Sequence, residues 1–136
     1  MTDKNIGWLL ESLEGTAGVG YAVLVAADGI SPAYTDRLTR ERAEKIAAIT
    51  STLWGASRAY DQETDGGGVR QFVMESVDGI SLVIPAGENS MLAVRTDSPH
   101  ADIGVISEAA LRLAASVGER LGARTRVAGG TEAARA

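Results

Sequence analysis

Between Ile46 and Ser57 the chain reads IAAITSTLWGAS, a run without a single charge in a segment whose periodicity is helical. A helix on the surface of a monomer carries a polar face opposite its apolar stripe. Here the stripe Ala43, Ile46, Ala47, Thr50, Leu53 and Trp54 suits a core, while the other side offers Ala48, Ile49, Ser51, Thr52, Gly55, Ala56 and Ala59. Those residues are mostly small, so a second backbone can approach closely. A helix with two apolar sides needs two partners, and the simplest second partner is the same helix from another copy. The pattern predicts a protein that works by assembling rather than by turning over a substrate. The alternative is a helix sandwiched within one domain.

Length and composition narrow the choice. The 136 residues suit one domain, and a hydrophobic content of 45% suffices for a core. A net charge of −5 argues against nucleic acid, which calls for a basic surface. With no cysteine there is no disulfide, thiolate nucleophile or cysteine metal site, and one histidine, His100, makes no metal cluster alone. No apolar run has the length of a membrane span, so no direct membrane insertion is expected. The start, MTDKNIGWLLESLEG, holds one basic residue before a short apolar stretch broken by Glu11 and Glu14. That does not read as a signal peptide, and a cytoplasmic location is the expectation.

Asp3 is positioned to cap a first helix with Ile6, Leu9, Leu10 and Leu13 on one face, ended by Gly15 and Gly18. Residues 19–27, VGYAVLVAA, are apolar on both alternating faces and predict a strand covered on both sides. Asp28-Gly29 reads as a hairpin turn, and a short strand follows at 30–34, at a sheet edge because of Pro32. Thr39 is a good cap for the second helix, expected to reach about Tyr60. A polar, glycine-rich loop at 61–68 leads to a third strand at 69–77. A second turn at Asp78-Gly79 is followed by strands at 80–85 and 91–96. Ser98-Pro99 predicts the start of the last helix, which carries Ile103, Ile106, Ala110, Leu113, Val117 and Leu121 to the core and leaves Glu108, Arg112 and Glu119 in water. The expected order is α-β-β-α-β-β-β-α. Short turns make the five-stranded sheet antiparallel, with helices on both faces: an α+β domain over residues 1–122, then a disordered tail over 123–136.

Little in this chain carries chemistry. The runs Gly15–Gly20 and Gly66–Gly68 precede strands and lack the Gly-Lys-Ser/Thr that ends a P-loop, so turns explain them. Asp28 and Asp78 each stand before Gly-Ile, where a turn aspartate is the simpler reading than a metal ligand. His100, placed in the first turn of the last helix, has no second catalytic group near it in the sequence. The expectation is a non-enzyme with no catalytic residue, no metal and no cofactor, unable to bind GTP itself.

GWLLESLEG leading into GVGYAVLVAADGI, the small-residue second helix, the strand VRQFVMES, and LAVRTDSPHADIGVISEAALRL together resemble the Roadblock/dynein light chain family, in its bacterial branch. The likeness spans about residues 5–121. One departure is Ala17-Gly18-Val19, where the family's turn usually begins with proline. The resemblance implies homodimers or heterodimers built through the second helix and third strand, with one sheet continuous across two subunits. It also implies binding to a small Ras-like GTPase, in systems that often include a sensor-kinase-like protein, with the GTPase keeping the chemistry.

The expected self-interface is therefore Ala48, Ile49, Thr52, Gly55 and Ala56 of the helix, with Gln71 and Val73 of the strand. Arg42 and Lys45, in the charged first turns, are expected on the rim that meets the GTPase. Trp8, off the core stripe of the first helix, is a second candidate anchor for a partner, since tryptophans often carry binding energy. The competing functional class is a profilin-like small-molecule sensor, which would show a cavity of several hundred Å³ between sheet and helix.

Overall fold

The computed structural model describes the backbone over residues 4–26 and 32–135, with side chains from Gly7 to Ala26 and from Pro32 to Glu119. Its elements are α1 (Lys4–Glu14), β1 (Val19–Ala26), β2 (Ala33–Tyr34), α2 (Arg40–Glu63), β3 (Phe72–Ser76), β4 (Gly79–Pro85), β5 (Ser90–Thr96) and α3 (Ile103–Arg135). The order is the one the sequence predicts. The strands form one antiparallel sheet, β2-β1-β5-β4-β3.

Strand alternation divides the molecule into three layers. On one face of the sheet Ala22, Leu24, Leu82, Ile84, Leu92 and Val94 pack against Leu10 and Leu13 of α1 and Ile106, Ala110, Leu113 and Val117 of α3. On the other face Val23, Val25, Val83, Met91 and Ala93 pack against Leu38 and against Ala43 and Ala47 of α2. β1, β4 and β5 are buried from both sides, which is why their sequences are apolar at successive positions rather than alternate ones.

β2 is a two-residue edge strand, lengthened by Thr35. The backbone N–H of Thr35 donates to Ala22 O, and its buried hydroxyl accepts from Ala22 N at 3.1 Å. Gly18 joins α1 to β1 at φ +92°, and a Cβ there would stand 3.0 Å from Ile106 Cδ1 and 3.1 Å from Ala101 Cβ. Backbone shape and the close approach of α3 both require glycine at this turn. The Asp3 cap and the Asp28-Gly29 turn lie outside the described residues.

Several boundaries differ from the expectation. α3 does not begin at Ser98-Pro99. Thr96 Oγ1 donates to Ser98 O and Ser98 Oγ accepts from His100 N, which closes a separate turn over 98–101. Asp102 is the cap instead, its carboxylate accepting from Val105 N at 3.2 Å. His100 thus lies in an exposed turn before the helix. At the other end, the backbone of α3 continues to Arg135 through the segment expected as a disordered tail from residue 123. Ala123, Ala128, Ala133 and Ala134 favour helix, and extending a formed helix needs no new nucleus.

Two further differences concern the strands and their neighbours. α2 runs one turn further than predicted, to Glu63. β3 is shorter than its apolar run, and the hairpin to β4 turns at Val77-Asp78, with Gly79 already in strand.

Candidate functional site

α2 is a long helix only half used by its own monomer. Thr39 Oγ1 accepts from Arg42 N at 3.2 Å and starts it. Ala43, Ala47 and Thr50 are buried against the sheet, and Ile46, Leu53 and Trp54 are half-buried beside them. The uncharged opposite side stays in water: Ala48, Ile49, Thr52, Gly55, Ala56 and Ala59 are all exposed. Nothing lies within 4 Å of where a Cβ on Gly55 would stand. Ile49 keeps 59% of its surface accessible and Tyr60 73%.

These exposed residues do not form one face. Ile46, Ile49 and Leu53 wall a groove of about 160 Å³ whose floor is Tyr21, Phe72, Met74, Ser81 and Arg95. Leu53, Ala56 and Tyr60 continue along a wider open cleft of about 820 Å³ that reaches Val69, Arg70, Gln71 and Phe72. This flank of α2 looks toward β3. Ala48, Thr52, Gly55 and Ala59 lie about 100° further round the helix, pointing away from the sheet. The predicted interface set therefore separates into a β3-facing flank (Ile49, Ala56) and an outer strip (Ala48, Thr52, Gly55).

β3 is the edge of the sheet opposite β2, since it pairs with β4 alone. An edge with unpaired N–H and C=O groups is a template for another strand. Its alternation sends Phe72 and Met74 to the α2 side, while Val73 faces the α3 side. Gln71 likewise reaches α3, where its Oε1 accepts from Ser107 Oγ at 3.1 Å. Reading the sequence singled out Gln71 and Val73 and missed Phe72, Met74 and Tyr60. Period-two alternation from Phe72, the one phenylalanine of the chain, was the available signal.

One cation sits on this floor. Arg95 lies across β4, its Nη1 donating to Ser81 Oγ at 3.1 Å. A Cβ on Gly79 would meet its guanidinium at 3.0 Å, so Gly79 makes room for it. Among the described residues Arg95 has no carboxylate partner.

The remaining candidates scatter. Arg40 pairs with Glu44 at 3.0 Å and Lys45 with Glu41 at 3.7 Å, so Arg42 is the unpaired cation of the first turns of α2 among the described residues. Trp8 is 65% exposed on α1 and lies on the other side of the sheet from Arg42 and Lys45. No single surface holds all three.

Among the described residues no group of His, Cys, Asp or Glu is placed to hold a metal, and no helix is long and apolar enough to cross a membrane. The glycine run after α2 is a turn built on Asp61, whose carboxylate accepts from Gly68 N at 2.8 Å. Gly67 and Gly68 there have positive φ.

With this geometry in place, comparison with known proteins decides the family. The sequence profile of the Roadblock/LC7 domain matches residues 6–96. The chain belongs to the Roadblock/LC7 family. A Roadblock/LC7 domain from Streptomyces avermitilis is 30% identical, with 85% of this chain and 96% of that one aligned at a TM-score of 0.78. MglB of Myxococcus xanthus aligns over 90% of this chain and 99% of its own at a TM-score of 0.82, with 11% identity. The gliding protein MglB of Thermus thermophilus aligns over 88% of this chain and 95% of its own at a TM-score of 0.72, with 17% identity. At those last two identities the likeness is one of fold. A comparison with curated proteins gives no match.

Proposed function

We propose that this protein is a homodimeric, non-enzymatic regulator that binds a small Ras-like GTPase. The observation that carries the reading is the open flank of α2 running alongside a free strand edge. Two copies related by a two-fold axis would join β3 to β3 and lay their α2 helices antiparallel over the seam. Ile49, Leu53, Ala56, Tyr60, Phe72 and Met74 would lose their exposure together. Such an interface is expected to bury on the order of 1,600 Å² or more in total.

The outer strip of each α2, Ala48, Thr52, Gly55 and Ala59, would then lie side by side on one composite surface. It is flat and small-chained, suited to a folded protein rather than to a small ligand. The spaces between α2 and the sheet are an open groove of about 160 Å³ and an open cleft of about 820 Å³ rather than an enclosed chamber, which favours a docking surface over the sensor reading. Lys45, on the rim of that surface, would steer the GTPase. The regulator would act by binding one nucleotide state better than the other, which shifts the GTPase's own equilibrium. No observation supports a sensor-kinase-like partner, and it forms no part of the reading.

Sedimentation at micromolar concentration tests the dimer; a clean monomer mass overturns it. A pull-down with small Ras-like GTPases from the same source, loaded with GDP or a GTP analogue, tests the partner. Capture that differs between the two states is expected. Absence of capture in both removes the GTPase from the reading and leaves the dimer standing.

A further inference from the structure

The charges on α2 run against its own dipole. A helix is stabilised by acids in its first turn and bases in its last. α2 opens with Arg40, Arg42 and Lys45 around Glu41 and Glu44, closes with Asp61 and Glu63, and has no base in its last turn. Arg40 and Lys45 are offset by the neighbouring glutamates one turn away, and Asp61 is engaged with the glycine loop. Of the charges on α2 that make no ion pair among the described residues, Arg42 and Glu63 stand at opposite ends, and Arg58 lies between them on the far side of the helix.

Helical periodicity sets Arg42 and Glu63 in line with the edge of the flank that faces β3. Ile49 and Ala56 line it, and Arg42 and Glu63 lie seven residues before and after them, which on a helix returns to nearly the same side. The line Arg42, Ile49, Ala56, Glu63 reads in reverse as acid, small, large, base. If a second copy lies antiparallel about a two-fold axis near Thr52 and Leu53, Arg42 meets Glu63, Ile49 meets Ala56, and both pairs occur twice. The neighbour's acidic C-terminal end then sits where this helix has its positive N-terminal end, so the dipoles oppose favourably as well. Arg95, unpaired on the floor beside Ile46 and Ile49, adds positive charge at the same end. Arg70 stands across the cleft at the acidic end and makes no ion pair with Glu63.

We infer that the second copy proposed above is held in one register by Arg42 of each subunit against Glu63 of the other. This rests on the self-association proposed above and adds its register and selectivity for self. A pair of this kind contributes modestly to affinity and strongly to choice of partner.

A charge-swap experiment tests it, with self-association measured by sedimentation at low and high salt. R42E alone is expected to weaken the dimer about tenfold at low salt and less at high salt, where charges are screened. E63R alone should do the same, since each places like charges at both ends. Mixing the two variants should restore association, because every end of the mixed dimer then meets its opposite. Thermal melting of each variant at a concentration where it is monomeric confirms that the fold is intact. Unchanged dimerisation of both variants, or a mixture no stronger than its components, overturns the register. A wild-type chain that stays monomeric overturns the self-association itself and gives the flank to another protein.

Discussion

The two helical layers cover the same sheet to different degrees. α1 and α3 together cover most of one face: Leu10, Leu13, Ile106, Ala110 and Val117 close over β1, β5 and β4, and Trp8 of α1, Val105 and Leu111 of α3 and Val73 of β3 stay exposed there. α2 alone serves the other face. It meets the sheet mainly through Ala43, Ala47 and Thr50, small groups that bring the helix close but do not extend over β3. The layer built from two helices is nearly complete within the monomer. The layer built from one leaves a groove and a cleft that meet at Leu53 and Phe72, so its uncovered residues are contiguous. The proposed binding role of α2 rests on that continuity more than on the amount of apolar surface.

The contrast breaks first in the core. Leu92 is fully buried under the α1–α3 layer, so Leu92→Ala should cost about 2–5 kcal/mol in denaturant unfolding. Ile49→Ala, measured under conditions where the protein is monomeric, should cost less than about 1 kcal/mol, because that side chain packs little within its own chain. Comparable losses at both positions would mean that α2 is as finished as its counterpart.

The same comparison predicts opposite results for charge insertion. Ile49→Asp should weaken self-association by about 2 kcal/mol or more while the circular dichroism of the fold stays unchanged, as expected of a residue near the centre of an interface. Leu111→Asp, at a similarly exposed leucine on α3, should leave self-association as it is. If Leu111→Asp dissociates the dimer and Ile49→Asp does not, the α1–α3 layer is the interface.

How far these layers could be read from sequence depended on where the information sits. β1 and β4 declared themselves because burial on both sides leaves them apolar on both alternating faces, with Ser81 the exception in β4. α2 declared its second side through its uncharged run, and the exposure of Ala48, Ile49, Thr52, Gly55 and Ala56 sets aside the alternative of a helix sandwiched within one domain. The start of α3 did not, because Ser98, Pro99 and Asp102 all carry helix-start chemistry, and the hydroxyl of Thr96 decides among them by holding Ser98 in a separate turn. The site was legible as an element but not as a side. Helical periodicity places Ile49 and Gly55 together on the uncharged half of α2, and only the position of β3 shows that one faces the groove and the other faces away. Gln71 and Val73 turn toward α3 rather than toward the α2 groove, and no feature of the sequence alone fixed that register.

A smaller effect is expected at the capping residue that the sequence did not reveal. Asp102→Ala should lower stability by about 1 kcal/mol through loss of the bond to Val105 N. Ser98→Ala should cost less, since its turn lies outside the helix. The reverse order in thermal unfolding would restore Ser98 as the cap.

The smallest change sharpens the division of α2 itself. Gly55 lies in the helix interior on the outer strip, with open space around it in the monomer. Glycine there leaves backbone freedom that alanine removes, so Gly55→Ala should raise stability by about 0.5–1 kcal/mol. Gly55→Leu distinguishes the two surfaces. On the outer strip a leucine protrudes away from the β3 seam, so the dimer should keep its affinity, while docking of a folded partner across the paired helices should weaken. If the helices instead cross at Gly55, as the small residues of the sequence suggest by themselves, Gly55→Leu pushes the two backbones apart and the dimer dissociates. Sedimentation of this one variant therefore assigns the small-residue strip either to the second copy or to the partner that the dimer presents it to.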